Sequence, residues 1–369
     1  MKIALLGDIG LFGRFNFNSK LDAENYFSDF IAVTKDCDVI VGNLETPFSR
    51  VYKEFTAKSA VLGADEKNVS ILELLNIDYV NLANNHTGDF GKEGYELTKK
   101  TLDANDIKYF GIEGIVNYFE YENNKICLSG FCNMDSNPVY LAGIDERNGD
   151  GVNVADFDNI NSVLQKADDA GYLNILSFHS GLEHINLPGK ADVCFARYLA
   201  EKFNYVLYGH HPHVVQAYEK HKESYLFYSL GNFCFDDVYS NSSKEPFVRM
   251  TEENRTGLVP ILTIENNIVI NVEYIWTYLG EDKMQILDPK VNSIIKAVNS
   301  IYLTDLDAAK IKRDKLLSEF INNRKSQRNL TWYTKRLRWK YFKLILNAKK
   351  NRKLYELSFL NKLIKNGII

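Results

Sequence analysis

The stretch Tyr205-Val206-Leu207-Tyr208-Gly209-His210-His211-Pro212-His213 is a short apolar run that ends in a glycine and a cluster of three histidines. Its length and its aliphatic and aromatic content predict a strand buried on both faces. Residues two apart in an extended segment point the same way, which puts His211 and His213 on one side. A buried strand that delivers imidazoles from its carboxyl end fits an α/β sheet, where ligand sites lie at the carboxyl ends of parallel strands.

The same pattern recurs on both sides of this stretch. Apolar runs at 3–6, 39–41, 79–83, 126–128, 175–178, 226–230 and 258–264 read as strands, while 69–75, 93–102 and 194–203 carry apolar residues three and four apart and read as helices. Such alternation predicts an α/β fold. Strand-like material ends with 268–278 and helical patterning takes over after Asp288-Pro289, which predicts one domain over 1–285 and a helical extension over 286–369.

Residues of metal-ligand type fall where the strands end. Asp8 ends the first, Asn43 and Glu45 the second and Asn84-Asn85-His86 the third; His179 ends the run at 175–178, and His210, His211 and His213 follow the run at 205–208. Singly, each has a structural reading: the Asp as a cap, the Asn pair as a turn, a lone His as a core residue. Core packing does not explain five strand ends with five such sets. Carboxylate, amide and imidazole donors without thiolates suit divalent ions such as Zn, Mn, Fe or Ni.

Composition sets the outer bounds. The 369 residues are 45% apolar and 25% charged, which excludes a disordered, collagen-like or coiled-coil chain. A chain this long buries a core without disulfides or a structural metal, so a metal here would serve chemistry. Five cysteines, odd in number and without C-x-x-C spacing, read as reduced thiols of a reducing compartment. The apolar start at 3–6 is too short for a secretion signal and no apolar run approaches a membrane span, so the expectation is a soluble, cytoplasmic protein.

The net charge of −4 hides an asymmetry. Residues 324–369 hold 14 basic residues and one acid, Glu356, leaving 30 basic and 47 acidic residues in the rest of the chain. Leu330, Tyr333, Leu337, Tyr341 and Leu344 form one helical stripe with Arg336, Arg338, Lys340 and Lys343 largely off it, and Leu354, Leu357, Leu360 and Ile364 form a second. One reading is a helix pair packed on the body or on a second copy of the chain. The other is a basic amphipathic surface for anionic membrane headgroups or a polyanionic substrate, with Trp332, Trp339 and Tyr341 at the interface. No nucleic-acid reading motif accompanies the charge, which argues against that partner.

The order of the motifs resembles the CapA-type capsule and poly-γ-glutamate biosynthesis family, which has a calcineurin-like metallophosphoesterase fold. The matching pieces are Gly7-Asp8, Asn43-Leu44-Glu45-Thr46-Pro47, Ala83-Asn84-Asn85-His86 with Asp89 and Gly91, His179-x-Gly181-x-Glu183 with Pro188, Gly209-His210-His211-Pro212-His213-Val214-Val215-Gln216, and Tyr228-Ser229-Leu230-Gly231-Asn232-Phe233. The resemblance implies a layered β-sheet sandwich flanked by helices, with the basic helical extension outside it.

Carried over residue by residue, the resemblance gives Asp8 and His213 to one metal and Asn85, His179 and His211 to a second, with Glu45 as the bridging carboxylate. His86 and Glu183 are the catalytic candidates, His86 sitting where related enzymes donate a hydrogen bond or proton to the leaving oxygen. Asn43, Asn84, Asp89, His210 and Asn232 would orient ligands or touch substrate, and His184 and His221 match nothing. The implied cofactor is one or two divalent ions, Mn, Zn or Fe. The implied activity is a metal-dependent hydrolase of phosphoester type acting on a phosphorylated precursor or an anionic surface polymer, at the inner membrane face if the tail binds there. Two alternatives stand beside it: amide or ester chemistry on a γ-glutamyl or amino-acid-decorated polymer, and a non-catalytic polymer-binding subunit. The opening triplet departs from the Asp-x-His of metallophosphoesterases: here it is Asp8-Ile9-Gly10.

Overall fold

The computed structural model describes residues 1–50, 61–133, 151–239, 245–288, 303–326, 346, 349–350 and 352–369. Two β-sheets lie against each other with helices outside both. In the first sheet, β1 (Lys2–Ile9), β2 (Val39–Leu44), β3 (Tyr79–Asn81) and β4 (Lys108–Phe110) run parallel. Antiparallel β14 (Thr256–Glu265), β15 (Ile268–Leu279) and β16 (Met284–Leu287) extend it beyond β1, and β11 (Asn232–Cys234) pairs parallel with the end of β1. The second sheet has the order β5-β6-β7-β8-β10-β9, from β5 (Asn117–Tyr121), β6 (Asn124–Cys132), β7 (Leu173–His179), β8 (Tyr205–His210), β9 (Tyr218–His221) and β10 (Ser224–Phe227). Its four middle strands are parallel. A short pair, β12 (Val238–Tyr239) and β13 (Pro246–Val248), stands apart.

Period-two alternation along the strands builds the layers. Ile3 and Leu5 of β1, with Ile175 of β7 and Val206 and Tyr208 of β8, fill a core between the sheets. Ala4 and Leu6 turn the other way onto α1 (Lys20–Thr34), α2 (Val69–Leu74) and α3 (Gly91–Ala104), meeting Phe27, Phe30, Leu72 and Tyr95. Leu176 and Leu207 likewise face α4 (Phe157–Asp169) and α5 (Lys190–Ala200), meeting Ile160, Leu164, Val193 and Leu199. The expected sandwich flanked by helices is therefore present.

Helices α1 and α4 are additional to those read from periodicity, each with a capped start: Ser19 Oγ accepts from Asp22 N, and the Asp156 carboxylate accepts from Asp158 N and Asn159 N. Helix α5 begins and ends earlier than expected, because Phe203 packs into the same core from the loop after the helix. Beyond β16, the helices Leu306–Ser326 and Leu357–Lys365 lie against the body, with Leu303, Phe359 and Leu363 in the core outside the second sheet. The stripe expected at Leu354, Leu357, Leu360 and Ile364 is not the buried face: Leu357 and Ile364 are 42% and 59% exposed. Phe359 and Leu363 fill the space beside Phe178 and Phe195 instead. The stripe from Leu330 to Leu344, with its Arg, Lys and Trp residues, lies outside the described residues.

All five cysteines are free thiols. Among the described residues no helix is long and apolar enough to cross a membrane.

Candidate metal centre

Strand register makes the site. Across the first sheet Asp8 lies opposite Asn43 on one side and Asn232 on the other, and Asn43 lies opposite Asn81. Four neighbouring strands thus present polar residues in one row. Asn81 Nδ2 donates to Asn43 Oδ1 at 2.9 Å, and Asn43 Nδ2 donates to Asp8 Oδ1 at 2.8 Å, forming a fully buried amide rail that ends on the carboxylate. The rail points at the second sheet. A Cβ at Gly130 of β6 would lie 2.1 Å from Asn81 Oδ1, and one at Gly111 would lie 2.2 Å away, so both positions require glycine. In the second sheet, register sets His179 at the end of β7 opposite His210 at the end of β8.

Between these two rows the donors converge. Glu45, His179 and His211 form one group, and Asp8, Glu45 and His213 a second; within each group the ligand-type atoms lie within 4.8 Å of one another. Glu45 belongs to both, its Oε1 3.8 Å from His179 Nε2 and 3.7 Å from His213 Nε2. Asn85 Oδ1 lies 2.9 Å from His179 Nε2 and adds a donor to the first group. All six residues are buried.

Electrostatics fit a cation. Burial is the largest influence on His211 and, with His213 and His86 nearby, lowers its pKa to about 4 against the opposing charges of Glu183 and Asp8. Burial and the neighbouring histidines also push His179 well below its ordinary value. Both are therefore neutral imidazoles at pH 7, the state that ligates metal. His211 Nδ1 is buried with no hydrogen-bond partner among the described residues. Burial works to raise the Asp8 pKa, but His210, His213 and Asn43 outweigh it and keep the carboxylate ionised. Three buried imidazoles and two carboxylates within reach of one another form a donor set that fits a divalent ion.

Neighbouring groups fix the orientation of the donors. Asn232 Nδ2 donates to Asn254 O at 2.9 Å, so its Oδ1 faces His213 Nδ1, also at 2.9 Å, as an acceptor. That places the proton on Nδ1 and leaves the Nε2 lone pair of His213, beside Glu45, for a metal. His86 Nδ1 meets Asp89 Oδ2 at 2.6 Å, and the same oxygen accepts from Leu62 N. The Asn84 side chain is committed to the loop, donating to Leu44 O and accepting from His86 N and Thr87 N. Asn84 therefore shapes the turn that presents Asn85 and His86. His210 is buried with Nδ1 3.2 Å from Asp8 Oδ1, and Glu183 is half-buried with its charge acting on His211. His211 and His213 both have positive φ, 94° and 56°, a conformation unusual outside glycine and strained enough to mark a functional loop.

The structure also brings in residues that the sequence did not flag. Asn81 anchors the rail; its one sequence signal is an amide inside an otherwise apolar strand. Asn254 joins two loops, since its Nδ2 reaches His213 O at 2.8 Å and His184 Nδ1 at 3.0 Å. His184, set aside earlier, has its ring 6.2 Å from that of His213. At Gly10, where metallophosphoesterases resembling this chain have a histidine, a Cβ would lie 2.7 Å from the Phe12 ring and 2.9 Å from the Phe235 ring. Phe235 in turn packs 4.6 Å from His213. Aromatic side chains thus fill that space. His221 pairs with Glu201 away from the centre.

The model of the family described as bacterial capsule synthesis protein PGA_cap matches residues 2–237, the span that carries every donor just described. The chain belongs to this capsule synthesis family. It is 26% identical over 277 residues to the PGA biosynthesis protein CapA of Bacillus subtilis (strain 168), covering 72% of this chain and 71% of that one. It is also 26% identical over 286 residues to the capsule biosynthesis protein CapA of Bacillus anthracis, covering 72% and 67%. Similarity to solved structures is more distant. The Thermus thermophilus sulfate thiohydrolase SoxB shares 12% identity at a TM-score of 0.44, over 75% of this chain and 45% of that one. A 5'-nucleotidase from Candida albicans shares 12% identity at a TM-score of 0.42, over 87% and 57%. The family match leaves Asn254 and both carboxy-terminal helices outside its span.

Proposed function

We propose that this capsule-family chain is a metal-dependent hydrolase of phosphoester type, acting on a phosphorylated precursor or an anionic surface polymer during capsule assembly or modification. The observation that carries the reading is Glu45, one buried carboxylate standing between two groups of donors drawn from five strand ends. Asp8, Glu45 and His213 would hold one divalent ion, and Glu45, Asn85, His179 and His211 a second; the donor set suits Mn, Zn or Fe. A divalent ion held by these residues would supply Lewis acidity and activate water near neutral pH. Asp89 holds His86 through Nδ1 and so orients its ring as the candidate donor to a leaving oxygen. Glu183 stands beside His211 to orient water or substrate.

Two further readings each have one supporting observation. The naming of a relative for PGA biosynthesis favours amide or ester chemistry on a γ-glutamyl polymer. The filled space at Gly10 favours a polymer-binding subunit whose Asp8 and His213 group holds metal weakly. Metal analysis of the purified chain, followed by phosphomonoester, phosphodiester and γ-glutamyl substrates with added Mn or Zn, separates the three. Turnover of phosphoesters that is lost in both His86→Ala and His211→Ala, with folding intact, supports the proposal. Turnover of γ-glutamyl substrates alone moves the assignment to the second reading, and polymer binding without turnover moves it to the third.

The basic segment 324–369 is proposed to direct a cytoplasmic protein to anionic polymer or membrane headgroups. Replacing Arg336, Arg338, Lys340 and Lys343 with Gln would then abolish salt-sensitive binding to anionic vesicles while metal content stays unchanged.

A further inference from the structure

The helix Leu306–Ser326 lies outside the family-matched span, yet it runs along the loop that carries Glu183. At its start, Asp307 Oδ1 accepts from Lys190 Nζ at 2.6 Å. Two turns on, Arg313 faces the half-buried Asp192, whose Oδ1 accepts from Ser180 Oγ at 2.9 Å. Two further turns on, the Phe320 ring packs 5.6 Å from the His184 ring. Helical geometry puts residues 313 and 320 on one face, so the helix touches the loop after β7 at His184 and the first turn of α5 at Lys190 and Asp192.

His184 is where these contacts meet the metal centre. Its backbone is left-handed, φ 61°, and its N–H donates to Pro212 O at 2.8 Å, tying it to the His211-Pro212-His213 turn. Asn254 Oδ1 accepts from Thr251 N and Thr251 Oγ1, which fixes the amide with Nδ2 toward His184. Nδ2 then donates both to His184 Nδ1 at 3.0 Å and to His213 O at 2.8 Å. His184 Nδ1 is therefore an acceptor, and the ring carries its proton on Nε2.

We infer that Phe320 and His184 are positioning residues of the metal centre: the helix Leu306–Ser326 seats Phe320 on His184, and the shared Asn254 amide transmits that constraint to His213. The inference rests on the metal-centre reading, but the coupling itself is a property of the protein without metal. Removing a direct partner of a metal ligand typically costs about 10–100-fold in affinity, and Phe320 lies two contacts beyond Asn254's bond to His213, so a loss on the order of threefold to tenfold is expected.

The test compares the full chain with Phe320→Ala, the conservative Phe320→Leu, and Ile311→Ala, a control residue 73% exposed on the same helix. Imidazole 15N NMR of the metal-free proteins reads the His184 and His213 ring nitrogens, and calorimetry with Zn2+ reads affinity. In Phe320→Ala both rings should shift and the weaker Zn2+ event lose threefold or more; Phe320→Leu should restore most of both, and Ile311→Ala should match the parent. Unchanged His213 resonances in a folded Phe320→Ala protein would overturn the inference. So would a Zn2+ loss matched by Ile311→Ala, since that reports general destabilisation. If no variant binds Zn2+, the metal reading fails, and the NMR shifts alone still decide the coupling.

Discussion

Gly130→Ala gives a direct test of the amide rail that carries Asp8. The new Cβ would lie 2.1 Å from Asn81 Oδ1 and 3.0 Å from Asn81 Cγ, against an ordinary contact of 3.4 Å or more, so Asn81 must move by about 1.3 Å. Asn81 is fully buried and has no free direction: Nδ2 is held by Asn43 Oδ1 at 2.9 Å, and Oδ1 accepts from Ala83 N at 3.1 Å. A shift of that size breaks the Asn43 bond and strands buried polar groups at about 1–3 kcal/mol each. Alanine's smaller unfolded-state entropy returns only about 0.4–1 kcal/mol. The net expectation is a loss of about 2–4 kcal/mol in urea unfolding of the metal-free protein. A double-mutant cycle isolates the cause. In an Asn81→Ala background only the Phe110 ring, 3.2 Å from the new Cβ, is still close, and Gly130→Ala should then cost less than about 1 kcal/mol. An equal cost in both backgrounds, or no cost in the parent, would refute the rail as the reason for glycine.

Other expectations follow from single contacts. Because burial holds the His211 pKa near 4 against an unfolded value near 6.5, the folded state of the metal-free protein binds fewer protons than the unfolded one across that window. Its stability should be complete above pH 6.5 and fall as pH drops toward 4; urea midpoints at pH 7, 5.5 and 4.5 check this, and His211→Gln should flatten the slope. Zn2+ or Mn2+ at a hundredfold excess over Kd should raise stability by about 2.7 kcal/mol, read as a thermal shift that EDTA reverses and that the double variant His179→Ala, His211→Ala lacks. Asp89→Asn should lower turnover of any substrate by about 10²–10⁴-fold with metal content unchanged, because it takes the carboxylate charge from His86, while the amide oxygen can still accept from Leu62 N. In the carboxy-terminal helix, Phe359→Ala should cost about 3–5 kcal/mol by emptying space in the core around Phe178 and Phe195. Lys362→Ala, which breaks partly exposed pairs with Asp156 and Asp158, should cost about 1 kcal/mol or less.

The fold class and a list of candidate donors were legible in the amino-acid sequence alone, because both are local statements. Strands such as 3–6 and 205–208 announce themselves by apolar runs, and Asp8, Glu45, Asn85, His179, His211 and His213 stand where those runs stop. Residue pattern carried no grouping of these donors, which came only through the family resemblance; physically it depends on strand order and register between two sheets. The same holds for the parts no motif marked. Asn81 matters because Gly111 and Gly130 leave room for its amide, and Gly10 because Phe12 and Phe235 occupy the space beyond it. His184 and Phe320 meet although 136 residues apart, on segments with no common periodicity. Sequence pattern records which face of an element is apolar; it does not record which distant face packs against it. That choice is made by the summed burial of the whole chain, and here it brought the two rows of polar residues together.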